Sequence, residues 1–409
     1  MQLSDIDLGS HDRWAEGVPH DQLTYLRHEA PVFRHPSTQD RMPEFWALTR
    51  YEDVQAVNRD HETFSSEAKG MILVDTEDEN GERPVKTMID TDPPEHTRLR
   101  RLVNRGFTPR MVSQFAEHYH QVTQQIVDAA VEKGDFDFVT ELAAELPLVA
   151  IAEILGVPLE DRHKLFDWTN RLVGNTDPEY GEGNEEERQQ DAMEAAMEIY
   201  GYATNLAEQR RTEPRDDVVT KLITDVDGEA LGHHDFELFV LLLSVAGNET
   251  TRNAISHGLL ALMENPDQMA LLREDVPGRI DTAVEEILRW ACPVIYFRRT
   301  AMRDVTIRGV DIAEGDAVAM YYISANRDEE VFADPFTFDI TRNPNEHIAF
   351  GGGGAHFCLG ANLARLELKI MFEELLARTS DIQLTGDVQR LRSNFINGIK
   401  HIPVSVTPA

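Results

Sequence analysis

The chain has 409 residues, 41% of them apolar and 27% charged, and 73 acidic against 39 basic side chains leave a formal charge of −34. So acidic a protein is excluded as a nucleic-acid binder, because phosphate recognition needs a positive footprint. Only two cysteines are present, Cys292 and Cys358, too few for a disulfide framework and in keeping with a reducing compartment.

The length is about twice that of a usual domain. No Gly/Ser or Pro-rich linker, composition break or repeat divides it, however, so one domain over 1–409 is expected. The opening Met1-Gln2-Leu3-Ser4-Asp5 is polar and acidic, unlike a secretory leader, and the longest apolar run, 239–246, is too short to cross a bilayer. A soluble, cytoplasmic protein with no membrane anchor is the expectation. Lys occurs only seven times, so Arg supplies 32 of the basic residues. That balance fits a salt-adapted host and an acidic mesophile enzyme equally well.

In chain order, short strands are expected at 31–34 and 45–48, then helices at 108–132, 140–155 and 160–173. The acid-rich run 177–191 reads as a solvated loop and the start of a helix at 186–211. A short helix at 216–225 precedes a long one at 235–264, which is apolar nearly all round and stops at Asn265-Pro266. At about 1.5 Å per residue the long helix would run about 45 Å, and a helix apolar on all sides belongs inside the protein. A helix at 281–290, a β-rich stretch at 296–322, a helix at 360–378 and a final β-rich stretch at 381–407 complete the pattern. Turns fall at Gly309, Gly315, Gly386 and Gly398. The fold class is mainly α with small β-sheets, an α+β arrangement.

Four stretches carry chemistry, and each has a plainer reading when taken alone. Phe350-Gly-Gly-Gly-Gly-Ala-His356-Phe-Cys358-Leu-Gly360 opens an apolar helix. Its glycines permit unusual backbone and close approach of a flat group. Cys358 sits where helix N–H groups favour a thiolate; alone, it would read as a small buried residue. Ala246-Gly247-Asn248-Glu249-Thr250-Thr251 places an acid beside an alcohol in the buried helix. Gly247 there suggests a local widening able to hold water, which would make a proton-delivery arrangement. A satisfied structural polar patch is the alternative. Glu286 and Arg289, at i and i+3, share a helix face and can pair, as solvated pairs in many proteins do. Finally, His96 and Arg100 follow the Pro-marked start Asp92-Pro-Pro-Glu95, and with Arg299 they can donate to one anionic group. Surface charge explains them equally well.

Taken together and in this order, the four stretches resemble the cytochrome P-450 family over nearly the whole length, with its long central helix over haem. The resemblance implies haem b with Cys358 as its axial ligand, and Glu249 and Thr250 as the acid–alcohol pair. It also implies Glu286 and Arg289 as a structural pair. His96, Arg100, Arg299 and His356 would hold the propionates, and Phe350 and Gly360 would shape the haem loop. Two departures stand out. Phe350 lies eight residues before Cys358 rather than seven, with Gly351 in the usual place, and Thr337 stands where the family often has an Arg that closes the Glu/Arg network.

The stretch 246–257 and the opening 12–20 are similar to a bacterial branch of sterol side-chain and methyl-branched lipid hydroxylases, with monoterpenoid-alcohol hydroxylases nearby. A monooxygenase acting on an apolar small molecule is implied, monomeric and supplied with electrons by a ferredoxin and an NAD(P)H-dependent ferredoxin reductase. Arg101, Arg105, Arg365 and Lys369 would form the ferredoxin-docking patch. Pocket candidates are Met71, Ile72, Leu73, Val74, Leu242, Val245, Ala246, Ile295, Phe297, Phe395 and Ile396, each equally readable as core. The rivals are a peroxide-using peroxygenase, a haem sensor without turnover, and remotely a hydrolase using Cys358 as nucleophile.

Overall fold

The computed structural model describes residues 1–409 apart from 40, 76–84, 105–106, 182, 216 and 225–230. Its axis is the central helix His233–Glu264, which ends where Asn265 caps onto Ala261 and Pro266 starts the next helix. The helix is wrapped by Glu145–Leu155, Arg162–Val173, Glu185–Thr212, Val276–Ala291 and Ala361–Arg378. Its apolar circumference is thereby used on every side.

Most expected elements form, with shifted ends. The segment expected to be helical over 140–155 begins with a π-turn at Val139–Ala143. The helix expected at 281–290 starts earlier, at Val276, because the Asp275 side chain caps the Gly278 N–H and Pro277 suits a first turn. The short helix spans Val218–Ile223, and both ends expected for it, 216 and 225, lie outside the described residues. Helices at His20–Glu29, Tyr51–Arg59 and Pro266–Glu274 were not marked by periodicity.

A five-stranded sheet runs in the order Val32–His35, Phe45–Leu48, Ala317–Tyr321, Tyr296–Ala301, Phe64–Ser65. Only its second and third strands pair in parallel. The hairpin Val305–Ile307/Val310–Ile312 turns on Arg308 and Gly309, both at positive φ, the geometry that two-residue hairpins favour. The C-terminal region adds a three-stranded sheet (Asp135–Asp137, Pro403–Pro408, Thr379–Leu384) and a small pair, Gln389–Arg390 with Ile399–His401. One apolar core surrounds the central helix, and a second joins the five-stranded sheet to the N-terminal helices.

Glu286 and Arg289 are fully buried and paired through two hydrogen bonds of 2.7 and 2.8 Å. The network is closed by Arg342, whose Nε donates to Glu286 at 3.2 Å, and by Asn345 at 3.0 Å. Thr337 contributes its carbonyl, which accepts from both guanidinium groups. The missing arginine is therefore supplied five residues later in the chain.

The acid-rich run is not a plain solvated loop. Asp177 is buried, receiving Lys400 Nζ at 3.0 Å and the Arg392 backbone N–H at 2.8 Å. Lys400 also reaches Glu179 at 2.6 Å, and His401 joins Glu179 at 2.6 Å. The segment after Arg162–Val173 is thus tied to the C-terminal strands.

Candidate active site

Between the central helix and the glycine loop lies a mostly apolar cavity. Its empty space, open mouth included, amounts to about 1400 Å³. Cys358 and Thr250 both line it.

The loop before Cys358 takes a path only glycine tolerates. Gly351 to Gly354 all have φ between +60° and +103°, a region strained for any side chain. At Gly354 a Cβ would also lie 2.6 Å from the Asn58 carbonyl. Asn58 and Arg59 pin the loop by donating to its carbonyls, Asn58 to Gly353 at 2.6 Å and Arg59 to Gly352 at 3.1 Å. The Cys358 N–H donates to Phe350 at 3.0 Å, and the Arg365 guanidinium caps the Phe350 ring 4.6 Å from its centre. Open space surrounds the point where a Gly360 Cβ would project. Asn58 carried no signal in the sequence, since its partners lie almost 300 residues away.

The thiol of Cys358 is exposed to the cavity, with protein packed densely around it. Burial pushes its pKa up, against the lowering effect of the Gly360 N–H, Arg100 and Arg365. The helix N-terminus therefore does not by itself make a thiolate; coordination to a metal would, because a bound metal displaces the thiol proton.

His96, Arg100 and His356 line one side of the cavity, and Arg299, which does not line it, is close enough to act on both histidines. His96 is buried with its ring 4.2 Å from that of His356. Burial and neighbouring arginines hold His96 down to about 4 and His356 to about 2, so both are neutral. Arg100 donates to Ala355 O at 3.3 Å. Arg299 is buried and His356 half-buried, and each keeps one buried nitrogen, NH2 and Nδ1, without a hydrogen-bond partner. Buried donors left open in this way are what a dianionic group would satisfy. With the Cys358 thiol lining the same mostly apolar cavity, the residues fit a haem with its two propionates.

The central helix is unbroken through residues 246–251, so the expected widening at Gly247 does not form. Gly247 instead admits Ile151, whose Cδ1 would lie 2.1 Å from an added Cβ. The Thr250 hydroxyl donates to the Ala246 carbonyl at 2.7 Å. Glu249 is not brought to the cavity. It is buried and ion-paired with Arg252, which also donates to Asn170 on the Arg162–Val173 helix at 2.9 Å. Burial pushes the Glu249 pKa up while Arg252 opposes the shift.

Of the pocket candidates, Leu242, Ala246 and Phe297 line the cavity; Met71, Ile72, Leu73, Val74, Val245, Ile295, Phe395 and Ile396 do not. The carbonyls of Met71 and Ile72 accept from Arg298, the Leu73 N–H donates to Tyr296 Oη, and Val74 is exposed. Ile295 and Ile396 are core residues, the latter bridged to Val294. On the central helix the lining positions are 239, 242, 243, 246, 247, 250, 251 and 254. This is one helical face, from which Val245 points away. Met88, Ile89, Ile151 and Val294 also line the cavity and were missed, because in sequence they are indistinguishable from core.

Of the four basic residues expected to form a docking patch, Arg365 is paired with Glu285 and Lys369 with Asp281, and Arg105 lies outside the described residues. Burial would raise the Glu285 pKa, but His347 and Arg365 bring it down to about 2.

A glycine-rich cysteine loop facing an unbroken helix across a cavity with unsatisfied nitrogen donors beside it defines a haem-thiolate protein. The cytochrome P450 family model matches residues 11–389. A steroid C26-monooxygenase of Rhodococcus jostii is 45% identical over 99% of this chain and 85% of its own. A methyl-branched lipid omega-hydroxylase of Mycobacterium bovis is 43% identical over 99% and 95%. Among solved structures, a Mycobacterium marinum cytochrome P450 in complex with pseudoionone has a TM-score of 0.90 at 39% identity, covering 98% of both chains. The chain belongs to the cytochrome P450 family. Its cofactor is haem b and its activity that of a monooxygenase. No described helix is long and apolar enough to cross a membrane.

Proposed function

We propose that this P450 hydroxylates the side chain of a steroid or methyl-branched lipid, with Cys358 as the iron ligand. The apolar cavity lined by Phe239, Leu242, Leu243, Val294 and Phe297 carries the reading, together with relatives that bear those activities in their names. The family match over 11–389 also supports one domain across the chain. When bound, the haem supplies the oxygen-activating chemistry, and thiolate ligation supplies the electron push that favours O–O cleavage throughout P450s.

The chain's own residues do the rest. His96, Arg100, Arg299 and His356 would hold the propionates. Apolar walls exclude water and leave the substrate's hydrocarbon chain nothing to bind but shape. Thr250, whose hydroxyl is oriented by Ala246, hands protons on at the cavity face. Glu249, held by Arg252, reaches that face only after a side-chain rotation. Two electrons arrive from a ferredoxin and its NAD(P)H-dependent reductase. Because Arg365 and Lys369 are already paired, the docking surface is less basic than the sequence suggested. We place the enzyme in the cytoplasm as a monomer.

The test is a titration of the ferric protein with sterols, branched lipids, terpenoids and fatty acids, followed at the Soret band. A shift to shorter wavelength with sterols or branched lipids is expected. A shift confined to terpenoids would move the substrate to the monoterpenoid-alcohol class. Absence of a haem spectrum after reconstitution would overturn the assignment.

A further inference from the structure

Glu285 and Glu286 are neighbours on the helix Val276–Ala291, and successive helical side chains point about 100° apart. Glu286 turns inward to Arg289 and Arg342. Glu285 turns aside, towards the cysteine loop and the helix Ala361–Arg378 that follows it. There it accepts from Arg365 twice, from Nε at 2.6 Å and from Nη2 at 2.9 Å, the flat two-point pairing for which a guanidinium is shaped. His347 completes the contact. Its Nδ1 accepts from the Ala349 N–H at 3.3 Å, so its proton lies on Nε2, which donates to Glu285 at 2.9 Å.

Both partners of Glu285 rest on one ring. The Arg365 guanidinium lies 4.6 Å from the centre of Phe350, and the His347 imidazole 5.9 Å. Phe350 lines the cavity, and its carbonyl accepts the Cys358 N–H at 3.0 Å. The four glycines after it have no side chains with which to anchor the loop, so whatever grips Phe350 also holds the turn that carries Cys358. A cation on an aromatic face is attracted by the ring itself, and this one cannot swing away without leaving its carboxylate. The grip is also charged. Arg365 and Arg100 are cations whose field reaches the Cys358 sulfur, and there the Arg365 field outweighs that of Glu285. The side chains of Arg365 and Glu285 keep 35% and 29% of their surface in solvent, and that of His347 keeps 2%. Water therefore weakens the pair without abolishing its field.

We propose that Arg365 is a positioning residue for the haem ligand: clamped by Glu285 and His347 onto Phe350, it fixes the base of the cysteine loop, and its charge sets how readily the thiolate-bound iron accepts an electron. The inference rests on Cys358 as the iron ligand. Groups around a metal's ligands orient them and tune the metal's potential. A positive charge beside the sulfur favours the reduced iron, which carries one more negative charge, and the Glu285 carboxylate opposes it. The step affected is a one-electron reduction; at Arg365 no bond forms or breaks and no proton moves. The clamp thus gives Arg365 a task that needs no partner protein.

The experiment titrates the full-length, haem-loaded wild type anaerobically against a redox dye, beside Arg365→Gln, Arg365→Lys, Glu285→Gln and the double variant Arg365→Gln/Glu285→Gln. Arg365→Gln should move the equilibrium roughly three- to tenfold towards the oxidised form, about 30–60 mV at about 59 mV per decade for one electron. Arg365→Lys keeps the charge but not the flat fork, so it should recover part of the shift. Glu285→Gln removes the opposing carboxylate and should move the equilibrium about twofold the other way. The double variant should fall between Arg365→Gln and wild type. Amide exchange over 350–358 should quicken in Arg365→Gln. An unmoved potential in Arg365→Gln, an Arg365→Lys no nearer to wild type than Arg365→Gln, or unchanged exchange of the loop overturns the proposal. Slower reduction by ferredoxin at an unmoved potential would make Arg365 a docking residue instead. Should Arg365→Gln fail to hold haem, Glu285→Gln decides, and a potential at or below that of wild type overturns the proposal. A haem spectrum left unchanged by Cys358→Ser would sink the ligand assignment itself, and the proposal with it.

Discussion

Replacing Glu286 by Ala tests how much of the stability hangs on one buried carboxylate. Glu286 is fully buried and accepts from Arg289 twice, from Arg342, from Asn345, and from the Asp339 backbone N–H. Its loss strands Arg289, itself fully buried, without a counter-charge. Breaking a buried pair from one side costs about 3–5 kcal/mol. At about 2.1 cal/mol/K per residue, unfolding 409 residues carries about 0.86 kcal/mol/K of entropy. The melting midpoint of the holoenzyme should therefore fall by about 4–6 °C in calorimetry. The neighbouring Glu285 supplies the control. It is paired with His347 and Arg365 but partly exposed, so Glu285→Gln should cost under about 1 kcal/mol, or about 1 °C. Replacing both members of the pair, Glu286→Leu with Arg289→Met, should recover much of the loss, since an apolar pair of similar volume leaves no buried charge. Equal shifts for Glu286→Ala and Glu285→Gln, or a shift below 1 °C for the former, would refute this reasoning.

Three further outcomes follow from the geometry. Thr250→Ala removes the hydroxyl at the cavity face; the Soret titration should be unaffected while product per NADH drops and peroxide accumulates, and unchanged coupling would remove Thr250 from proton delivery. Gly247→Ala drives a Cβ to within 2.1 Å of Ile151 Cδ1, an overpacking cost of about 1–3 kcal/mol. Substrate affinity should fall with it, and Ile151→Ala should restore both; failure of the rescue would show that the glycine serves something other than close packing. His401 is partly buried, which lowers its pKa, but Asp137 and Glu179 outweigh that and raise it. A raised folded pKa means the charge-assisted tie to Glu179 is present below the ordinary imidazole value and is lost as pH rises through the raised one. Hydrogen exchange of residues 174–181 should accelerate across that window, and His401→Gln should exchange fast at every pH. A pH-independent rate in the wild type would contradict the assignment.

The sequence was most legible where chemistry forces local spacing. Four glycines before Cys358 have no other reason to be adjacent than backbone at positive φ. The pairing of Glu286 with Arg289 follows from helix geometry alone. The apolar circumference of residues 235–264 announced a buried helix, and the structure wraps it on all sides. These are properties of short stretches, and one chain carries them without reference to the rest.

What lies far apart in sequence was decided only by folding. Arg342 closes the Glu286 network from 56 residues away, and Asn58 pins a loop 293 residues distant. Neither position differs in type or spacing from an ordinary surface polar residue. Pocket residues were misjudged for a related reason: apolar core and apolar wall have the same composition, and only packing leaves Met88 or Val294 facing empty space while Ile295 is filled in. The direction of Glu249 likewise turned on where Arg252 and Asn170 came to rest. Spacing names the residues that can meet; burial and partners decide which of them face the chemistry.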